Sequence, residues 1–455
     1  MSKLYAENIL IGSQWQKDKT LLLSDTGVIK AIVDGKESDA DILHGSVIPG
    51  MINCHSHAFQ RAFAGLSEYR GSSSDSFWSW RDIMYRFVGK ISPEDAHHIA
   101  SFLYVEMLKA GYTSVAEFHY LHHQPEGKSY DDPAEMSHQI INAAKVAKIG
   151  LTHLPVLYTY AGFGEQGASK AQGRFSHSTE DFLNLIDILN RQYTDQSHFS
   201  LGIAPHSLRA VSRTQLTEII SFVRALNSAT PIHIHIAEQQ QEVEDCLSYY
   251  QQRPVEWLLD NFEVDKNWCL IHATHLSDDE LIALAKSDSV VGICPTTEAN
   301  LGDGIFPTSQ FINDGGNFAI GSDSHIAINI ADELRMLEYG QRLTHHQRAI
   351  LTDENCSSVG QYLYCKAAND GAKAVNQNAG CIEVGKRADL VVLDNQHPSL
   401  FGKSNQFILD AAIFACSQLP VKDVFVAGER VISSGQHLLD ETLLKNYQSV
   451  IKRIS

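Results

Sequence analysis

The chain has 455 residues, of which 44% are hydrophobic and 20% are charged, and this composition excludes the disordered and fibrous classes. Its formal net charge of −18 argues against a nucleic-acid partner or an anionic membrane surface, because both need basic patches on the protein. No run of about 18 apolar residues is present and the eight cysteines form no C-x-x-C pair, so we expect a cytoplasmic protein with reduced thiols.

The two ends of the chain have the same strand-rich texture. Residues 1–45 predict short strands joined by turns, and the segments GCIEVGKRADLVVLD and VKDVFVAGERVISSG near the C-terminus predict further strands punctuated by glycine. A chain of this length favours one large domain plus a smaller one, or two to three domains. We therefore expect the two ends to join in one small sheet domain.

The middle of the chain alternates apolar, β-rich runs with amphipathic helical segments. We predict strands over residues 46–57, 113–120, 150–160, 199–207, 231–238, 268–275, 289–298 and 317–325. Eight nearly continuous apolar strands separated by helices predict an α/β protein with a closed parallel (β/α)8 barrel. A doubly wound open sheet is the alternative, but no G-x-G-x-x-G follows the first strand and no P-loop is present.

Polar residues end nearly every predicted barrel strand. They are His55, His57, Glu117, His119, Tyr120, Tyr158, Tyr160, His206, His235, Glu238, His272, His275 and Asp323. Catalytic groups of such barrels lie at the carboxyl ends of the strands. The repeated position therefore favours an active site over a scatter of structural histidines.

Four of these residues predict a metal shell. His55 and His57 are two residues apart in a strand, so their side chains share one face. Together with His235 and Asp323 they supply ligands for one divalent metal ion, and a shell of this type accepts iron, manganese or zinc. His233 shares a face with His235 but lies one layer deeper, and we interpret it as an interior histidine.

Three residues in this shell or next to it predict acid–base chemistry. A metal-activated water needs a group that takes its proton, and Asp323 can do this while touching the metal. His272, from the sixth strand, can polarise the electrophile. Glu238 follows His235 by three residues and is placed to carry protons, whereas His275 fits a loop position.

The segments PGMINCHSHAFQ, HIHIAEQ, LIHATH and GSDSH resemble the ordered motifs of the amidohydrolase superfamily. The resemblance covers nearly the whole chain and implies a zinc-dependent barrel over residues 48–375, with a β-sandwich built from residues 1–47 and 376–455. It also implies a homodimer. The fourth strand run, FSLGIAPHS, lacks the lysine that bridges two metals in binuclear members, so a single metal ion is implied.

More closely, the segments CHSHAFQRAFAGL, DSFWSWRDIMYRF, AEFHYLHH, APHSLRAV and HIHIAEQ resemble the deiminases of this superfamily that act on N-formimino-L-glutamate in histidine degradation. That resemblance places five residues on the substrate: Gln60, Arg81, Tyr120, His206 and Arg209. Guanidinium groups suit a substrate with two carboxylates, because they grip carboxylates through paired, charge-assisted hydrogen bonds. The implied reaction is hydrolytic deimination, which leaves N-formyl-L-glutamate and ammonia.

Two other functions compete with this one. The first is a different aminohydrolase on the same site, acting on guanine, an adenosine derivative or a chlorinated triazine. Pockets for neutral heterocycles favour stacking and amide contacts, so Arg81, Tyr120 and Arg209 argue against it. The second is a non-catalytic barrel, which should lack part of the ligand or acid–base set, whereas every member is present here.

Overall fold

A computed structural model describes residues 2–66, 68, 84–194, 196 and 198–454. Its strands are β1 Lys3–Ile11, β2 Gln14–Leu23, β3 Ile29–Asp34, β4 Asp41–Pro49, β5 Met51–Ser56, β6 Tyr112–His119, β7 Gly150–Leu157, β8 Tyr160–Gly162, β9 Gln166–Gly167, β10 Phe199–Leu201, β11 Ala204–Pro205, β12 Ile232–Ile236, β13 Trp268–His272, β14 Val290–Ile293, β15 Asn317–Ile320, β16 Leu390–Leu393, β17 Val421–Val426, β18 Glu429–Ser433 and β19 Gln436–His437. Its helices are α1 Pro93–Ala110, α2 Glu135–Ala147, α3 Thr179–Tyr193, α4 Arg213–Leu226, α5 Gln240–Tyr250, α6 Pro254–Asn261, α7 Asp278–Lys286, α8 Pro295–Leu301, α9 Thr308–Asn313, α10 Ile330–His345, α11 Val359–Ala374, α12 Ile408–Phe414 and α13 Asp440–Ile454.

The two chain ends share one eight-stranded sheet, in the order β19-β18-β17-β16-β4-β1-β2-β3. They meet where β16 runs antiparallel to β4, with Leu390 opposite Pro49. Apolar side chains from both ends, such as Leu21, Val47 and Phe425, are buried in a core of their own. The predicted small domain built from both termini is therefore confirmed, while its boundaries at residues 47 and 376 stay a prediction.

The remaining strands form the barrel. Parallel strands follow the order β5, β6, β7 and β10, β11 also pairs with β7, and β12 to β15 form a second parallel sheet. Parallel bridges join the two sheets at both seams: Ile203 to Ile232 on one side and Ser56 to Asp323 on the other. The predicted (β/α)8 barrel is thus confirmed, and its strands are buried on both faces, as their continuous apolar runs require.

Several predicted strands are wrong in their extent. The run 199–207 is divided between β10 and β11, and the runs 268–275 and 317–325 end earlier, at His272 and Ile320. The run 46–57 is divided at Gly50, where the chain leaves β4 of the sheet domain and enters β5 of the barrel. A Cβ atom at Gly50 would lie 2.3 Å from the Thr113 side chain, so only glycine fits this passage. The run 289–298 stops being a strand at Ile293, because Pro295 occupies the first turn of helix α8, a position that proline favours.

Capping residues at both ends of helix α1 determine where the helix begins and where the following barrel strand starts. Helix α1 begins at a capping box in which Ser92 and Asp95 exchange hydrogen bonds, with Pro93 in the first turn. It ends at Gly111, whose φ of 100° is a left-handed conformation that glycine adopts without strain. Strand β6 then starts at the next residue.

No helix in the described ranges is long and apolar enough to span a membrane.

Gly321 lets the last barrel strand approach the first. A Cβ atom there would lie 2.7 Å from the Cβ atom of His55 and 3.0 Å from Sγ of Cys294. We expect Gly321→Ala to lower the free energy of unfolding by about 1–3 kcal/mol, because a buried methyl group without space forces its neighbours apart. Denaturant unfolding of metal-free protein measures this change.

Gly167→Ala is the matched control, since a Cβ atom at Gly167 meets no atom within 4 Å. Equal stabilities of the two variants would show that the β5–β15 seam tolerates a side chain at position 321.

Candidate active site

The chain turns sharply where two barrel strands, β13 and β15, end. His272, Ala273 and Asp323 have φ values of 68°, 48° and 46°, a left-handed region that non-glycine residues seldom occupy. Backbone hydrogen bonds hold the seam between the first and last strands: Asp323 N–H donates to the carbonyl of His55, and His57 N–H donates to the carbonyl of Asp323. Such locally costly conformations persist where the surroundings enforce them, commonly at functional sites.

Four predicted ligands meet at this barrel mouth. Nε2 of His55 lies 3.0 Å from Nε2 of His235. Oδ1 of Asp323 lies 3.5 Å from Nε2 of His55 and 3.4 Å from Nε2 of His57. The ligand atoms of the three histidines all lie within 4.8 Å of one another. The structure therefore brings together His55, His57, His235 and Asp323, as the sequence predicts.

Backbone carbonyls orient two of the imidazoles. Nδ1 of His57 lies 2.9 Å from the carbonyl of Phe118, and Nδ1 of His235 lies 3.2 Å from the carbonyl of His206. A carbonyl can only accept, so each Nδ1 carries the proton. The opposite nitrogen, Nε2, then turns its lone pair toward the other ligands, which is the usual arrangement of metal-binding histidines.

The electrostatics of the four residues suit a cation. Burial lowers the pKa of His55 to about 3 and also lowers the pKa values of His57 and His235, so all three imidazoles are neutral near pH 7. Burial opposes ionisation of Asp323, but its hydrogen bond to His55 and the nearby histidines hold its pKa well below the usual range. Three neutral nitrogens and one carboxylate fit a divalent metal ion.

His272 lies between two carboxylates of the same cavity. Its Nε2 atom is 3.8 Å from Oε1 of Glu238 and 3.8 Å from Oδ2 of Asp323. Burial alone would lower its pKa, but Glu238, a hydrogen bond to Glu298 and Asp323 raise the pKa of His272 to about 10. Burial raises the pKa of Glu238 to about 7, so this carboxyl group can both hold and release a proton near neutrality.

Glu298 is a part of the site that the sequence analysis missed. It is buried in the first turn of helix α8, and its Oε1 atom lies 3.2 Å from Nδ1 of His272 and accepts the Cys294 N–H at 2.8 Å. The contact fixes the ring of His272 with Nε2 toward the cavity. Pro295 could have revealed it, because a helix starting there places Glu298 beside the strand end.

A cavity of about 580 Å³ adjoins the ligand cluster. Four of the predicted substrate residues line it: Gln60, Tyr120, His206 and Arg209. Gln60 donates a hydrogen bond of 2.9 Å to the hydroxyl of Tyr120, whose ring centroid lies 4.9 Å from that of His57. The ring centroid of His206 lies 4.9 Å from that of His235. The fifth predicted residue, Arg81, lies outside the described residues.

Arg209 brings a cation to this cavity without a salt bridge in the described part of the chain. It is half-buried, and Nη1 donates to the hydroxyl of Tyr158 at 3.3 Å. The oxygens of the nearby Glu242 carboxylate accept the backbone N–H groups of Ala237 and Glu238 instead. Burial lowers the pKa of Arg209, but Tyr158 and Glu242 raise it by a larger amount. The pKa therefore lies above its usual value and the guanidinium stays charged.

Other polar residues at strand ends lie away from the ligand cluster. His233 is buried below it, with Nε2 2.9 Å from the carbonyl of Ala374. Glu117 accepts hydrogen bonds from the Ser56 hydroxyl and the Ala58 N–H, so it holds the turn that follows the first strand. His119 contacts the rings of other histidines behind the barrel wall. Strand alternation separates Glu117 and His119 from Phe118 and Tyr120, whereas His233 shares a face with His235 and lies one layer deeper.

Arg174 is a second residue that sequence patterns did not reveal. This buried guanidinium donates to the carbonyls of Val88, Ile91 and His123, and its own carbonyl accepts the N–H groups of His122 and His123. It thereby ties together three segments that contribute walls to the cavity. A single arginine in the segment AQGRFSHS carries no local signal of this long-range role.

A protein-family model described as the amidohydrolase family matches residues 46–431, which include the barrel and part of the sheet domain. The chain belongs to the amidohydrolase family. The family resemblance inferred from the His-x-His, HIHIAEQ, LIHATH and GSDSH segments is therefore confirmed.

Two relatives are similar to this amidohydrolase over most of their length. The formimidoylglutamate deiminase of Pseudomonas aeruginosa is 47% identical over 452 residues, which are 99% of each chain. The 5-methylthioadenosine/S-adenosylhomocysteine deaminase of Thermodesulfovibrio yellowstonii is 28% identical over 88% of this chain and 83% of that protein. The first similarity confirms the closer resemblance drawn from the sequence.

Solved structures agree with the fold. An amidohydrolase from Brucella melitensis superposes with a TM-score of 0.93 at 42% identity, covering 100% of both chains. A zinc-bound adenosine deaminase from Xanthomonas campestris superposes with a TM-score of 0.83 at 21% identity, covering 99% of this chain and 98% of that one. The second likeness shows the shared barrel and sheet domain alone.

We expect Glu298→Gln to lower hydrolytic activity by about 10- to 100-fold, because the amide removes the anionic partner that orients His272. Steady-state rates together with metal content per chain measure the effect. Glu218→Gln, on the exposed face of helix α4, is the control and should keep full activity. Full activity in Glu298→Gln would mean that the ring of His272 needs no partner at Nδ1.

Proposed function

We propose that this amidohydrolase hydrolyses N-formimino-L-glutamate to N-formyl-L-glutamate and ammonia. The observation that carries the proposal is Arg209, a charged guanidinium that reaches the cavity beside the ligand cluster and forms no salt bridge with a carboxylate of the described side chains. A dicarboxylate substrate supplies that partner. The 47% identity to the formimidoylglutamate deiminase of Pseudomonas aeruginosa supports the same substrate.

The cavity offers polar groups at two distances from the ligand cluster. Tyr120 and His206 contact the rings of His57 and His235 directly, while Arg209 lies beyond His206, beside Tyr158. In the substrate, the α-carboxylate is close to the formimino group and the side-chain carboxylate is two methylene groups farther away. Gln60, Tyr120 and His206 thus suit the α-carboxylate, and Arg209 suits the distal one. We propose that Arg81 also holds the substrate.

His55, His57, His235 and Asp323 would hold one divalent ion, and we propose that it is zinc. When bound, such an ion lowers the pKa of water and so supplies a nucleophile near neutral pH. The donor set supports this proposal, because its nitrogens are neutral and its one carboxylate is ionised.

The remaining chemistry is proton transfer by residues of the chain. Asp323 accepts the proton of the attacking water. His272 directs Nε2 toward the same space and donates a hydrogen bond to the attacking oxygen, where it stabilises developing charge. Glu238 carries a proton to the imino nitrogen, and its pKa of about 7 suits both halves of that transfer. The carbon–nitrogen bond to that nitrogen then breaks, so ammonia leaves and the formyl group remains.

The rival function is deamination of a nucleobase derivative, which the name of the relative from Thermodesulfovibrio yellowstonii states for that protein. A neutral heterocycle carries no negative charge that would neutralise Arg209, and burying the guanidinium against it would cost free energy. The positive charge of Arg209 in the cavity therefore favours the dicarboxylate substrate. A place in histidine degradation, the cytoplasm as location and a homodimer as assembly accompany this function as further proposals.

Ammonia release tests the substrate directly. With zinc-loaded protein we expect turnover of N-formimino-L-glutamate and none of guanine, adenosine or S-adenosylhomocysteine. Arg209→Met should lower kcat/KM for formiminoglutamate by at least about 100-fold, since loss of a charge-assisted pair costs about 3 kcal/mol. Arg213→Met, which removes an exposed arginine of helix α4, should change nothing. Turnover of a nucleoside that is indifferent to Arg209→Met would replace the proposed substrate.

Metal removal tests the proposed cofactor. Dialysis against a chelator should abolish ammonia release, and one equivalent of zinc per chain should restore it. His57→Ala should bind less zinc under the same conditions, because it removes one of the converging nitrogens. Retention of full activity by metal-free protein would contradict the proposed role of the ion.

A further inference from the structure

The hydroxyl of Tyr158 receives two hydrogen bonds at the edge of the cavity. Nε2 of Gln172 donates to it at 2.6 Å, and Nη1 of Arg209 donates at 3.3 Å. Tyr158 follows strand β7 and lines the cavity together with Arg209. No assigned role explains why a buried tyrosine should be held by two donors.

The direction of the Gln172 contact follows from its other end. Oε1 of Gln172 accepts the backbone N–H of Ser169 at 2.8 Å, and a backbone N–H can only donate. The amide nitrogen must therefore face Tyr158. Gln172 is buried, so bulk water does not compete for the hydrogen bonds that fix the orientation of its amide group.

Because both contacts are made by donors, the Tyr158 hydroxyl can form one further hydrogen bond, in which it donates its own proton. A hydroxyl oxygen has two acceptor positions and one proton. The amide of Gln172 and the guanidinium of Arg209 occupy both acceptor positions, and no acceptor among the described residues receives the proton. The proton is available to a ligand in the cavity, next to the Arg209 charge.

We propose that Tyr158 donates its hydroxyl proton to the distal carboxylate of the substrate, beside Arg209, and that Gln172 holds the tyrosine in this donor role. This inference rests on the proposed function, because it names the residues that recognise the side-chain carboxylate of formiminoglutamate. The distal carboxylate is the one concerned, since the ring centroid of Tyr158 lies 4.6 Å from that of His206, which in turn lies against His235.

The arrangement selects a carboxylate over a carboxamide. Arg209 and Tyr158 each present only a donor, so both oxygens of a carboxylate are satisfied. A carboxamide would turn its NH2 group toward one of these donors, and Tyr158 cannot become an acceptor because its lone pairs are engaged. Discrimination against such an analogue is strong when a buried polar group is left unpaired.

Tyr158→Phe tests the proposal with formiminoglutamate and its carboxamide analogue, N-formimino-L-glutamine. We expect KM for formiminoglutamate to rise by about 10- to 100-fold, as for loss of a hydrogen bond to a charged group. kcat should change less than about twofold and metal content should be unchanged. The preference for formiminoglutamate over the analogue should fall by at least about tenfold. Gln172→Leu should raise KM less, because it loosens the donor without removing it.

Tyr160→Phe is the matched control, since Tyr160 lies two residues along the chain in the half-exposed strand β8. An unchanged KM and an unchanged preference in Tyr158→Phe would overturn the proposal. A loss of kcat, metal content and thermal stability together would overturn it as well, because Tyr158 would then be structural.

Calorimetric titration with glutarate separates this proposal from the proposed function. If wild-type protein releases no ammonia from formiminoglutamate, the proposed function fails. The donor pair is then judged by binding alone: weaker binding of glutarate to Tyr158→Phe than to wild type supports it, and equal binding overturns it.

Discussion

The seam between strands β5 and β15 is the contact on which the rest of the site depends. Reciprocal backbone hydrogen bonds between His55, His57 and Asp323 bring the first and last barrel strands into register at their carboxyl ends. Gly321 permits this approach, because no side chain fits between it and His55. Closure of the barrel and assembly of the ligand cluster are therefore one event, since the same atoms accomplish both.

Burial then gives the clustered residues opposite protonation states. The same desolvation that keeps His55 neutral raises the pKa of Glu238 to about 7. Among His55, His57, His235 and His272, only His272 is a cation, because carboxylates lie at both of its nitrogens. A cavity with neutral ligands, a titratable carboxyl group and a fixed imidazolium suits the proposed division of tasks into binding a cation, moving a proton and stabilising charge.

Much of this arrangement could be predicted from the sequence, because strand ends are positions that periodicity can locate. The spacing of His55 and His57, the place of His235 near the end of the fifth run and that of Asp323 after the last one predicted four side chains that the structure brings together. Glu298 escaped because residues 289–298 look like one strand until Pro295 is interpreted as a helix start. Arg174 escaped because its partners are backbone carbonyls far along the chain, which no local pattern encodes.

Two arginines illustrate how the cavity obtains its selectivity. Arg174 is deeply buried, and carbonyls of three residues accept hydrogen bonds from its Nε and Nη1 atoms. Arg209 has only the Tyr158 hydroxyl as a hydrogen-bond partner among the described side chains, and the nearby Glu242 carboxylate acts on it without a salt bridge. A half-buried guanidinium without a salt bridge is less stable than a paired one. A ligand carboxylate would supply that salt bridge, so in the proposed function the free energy of substrate binding includes the pairing of Arg209.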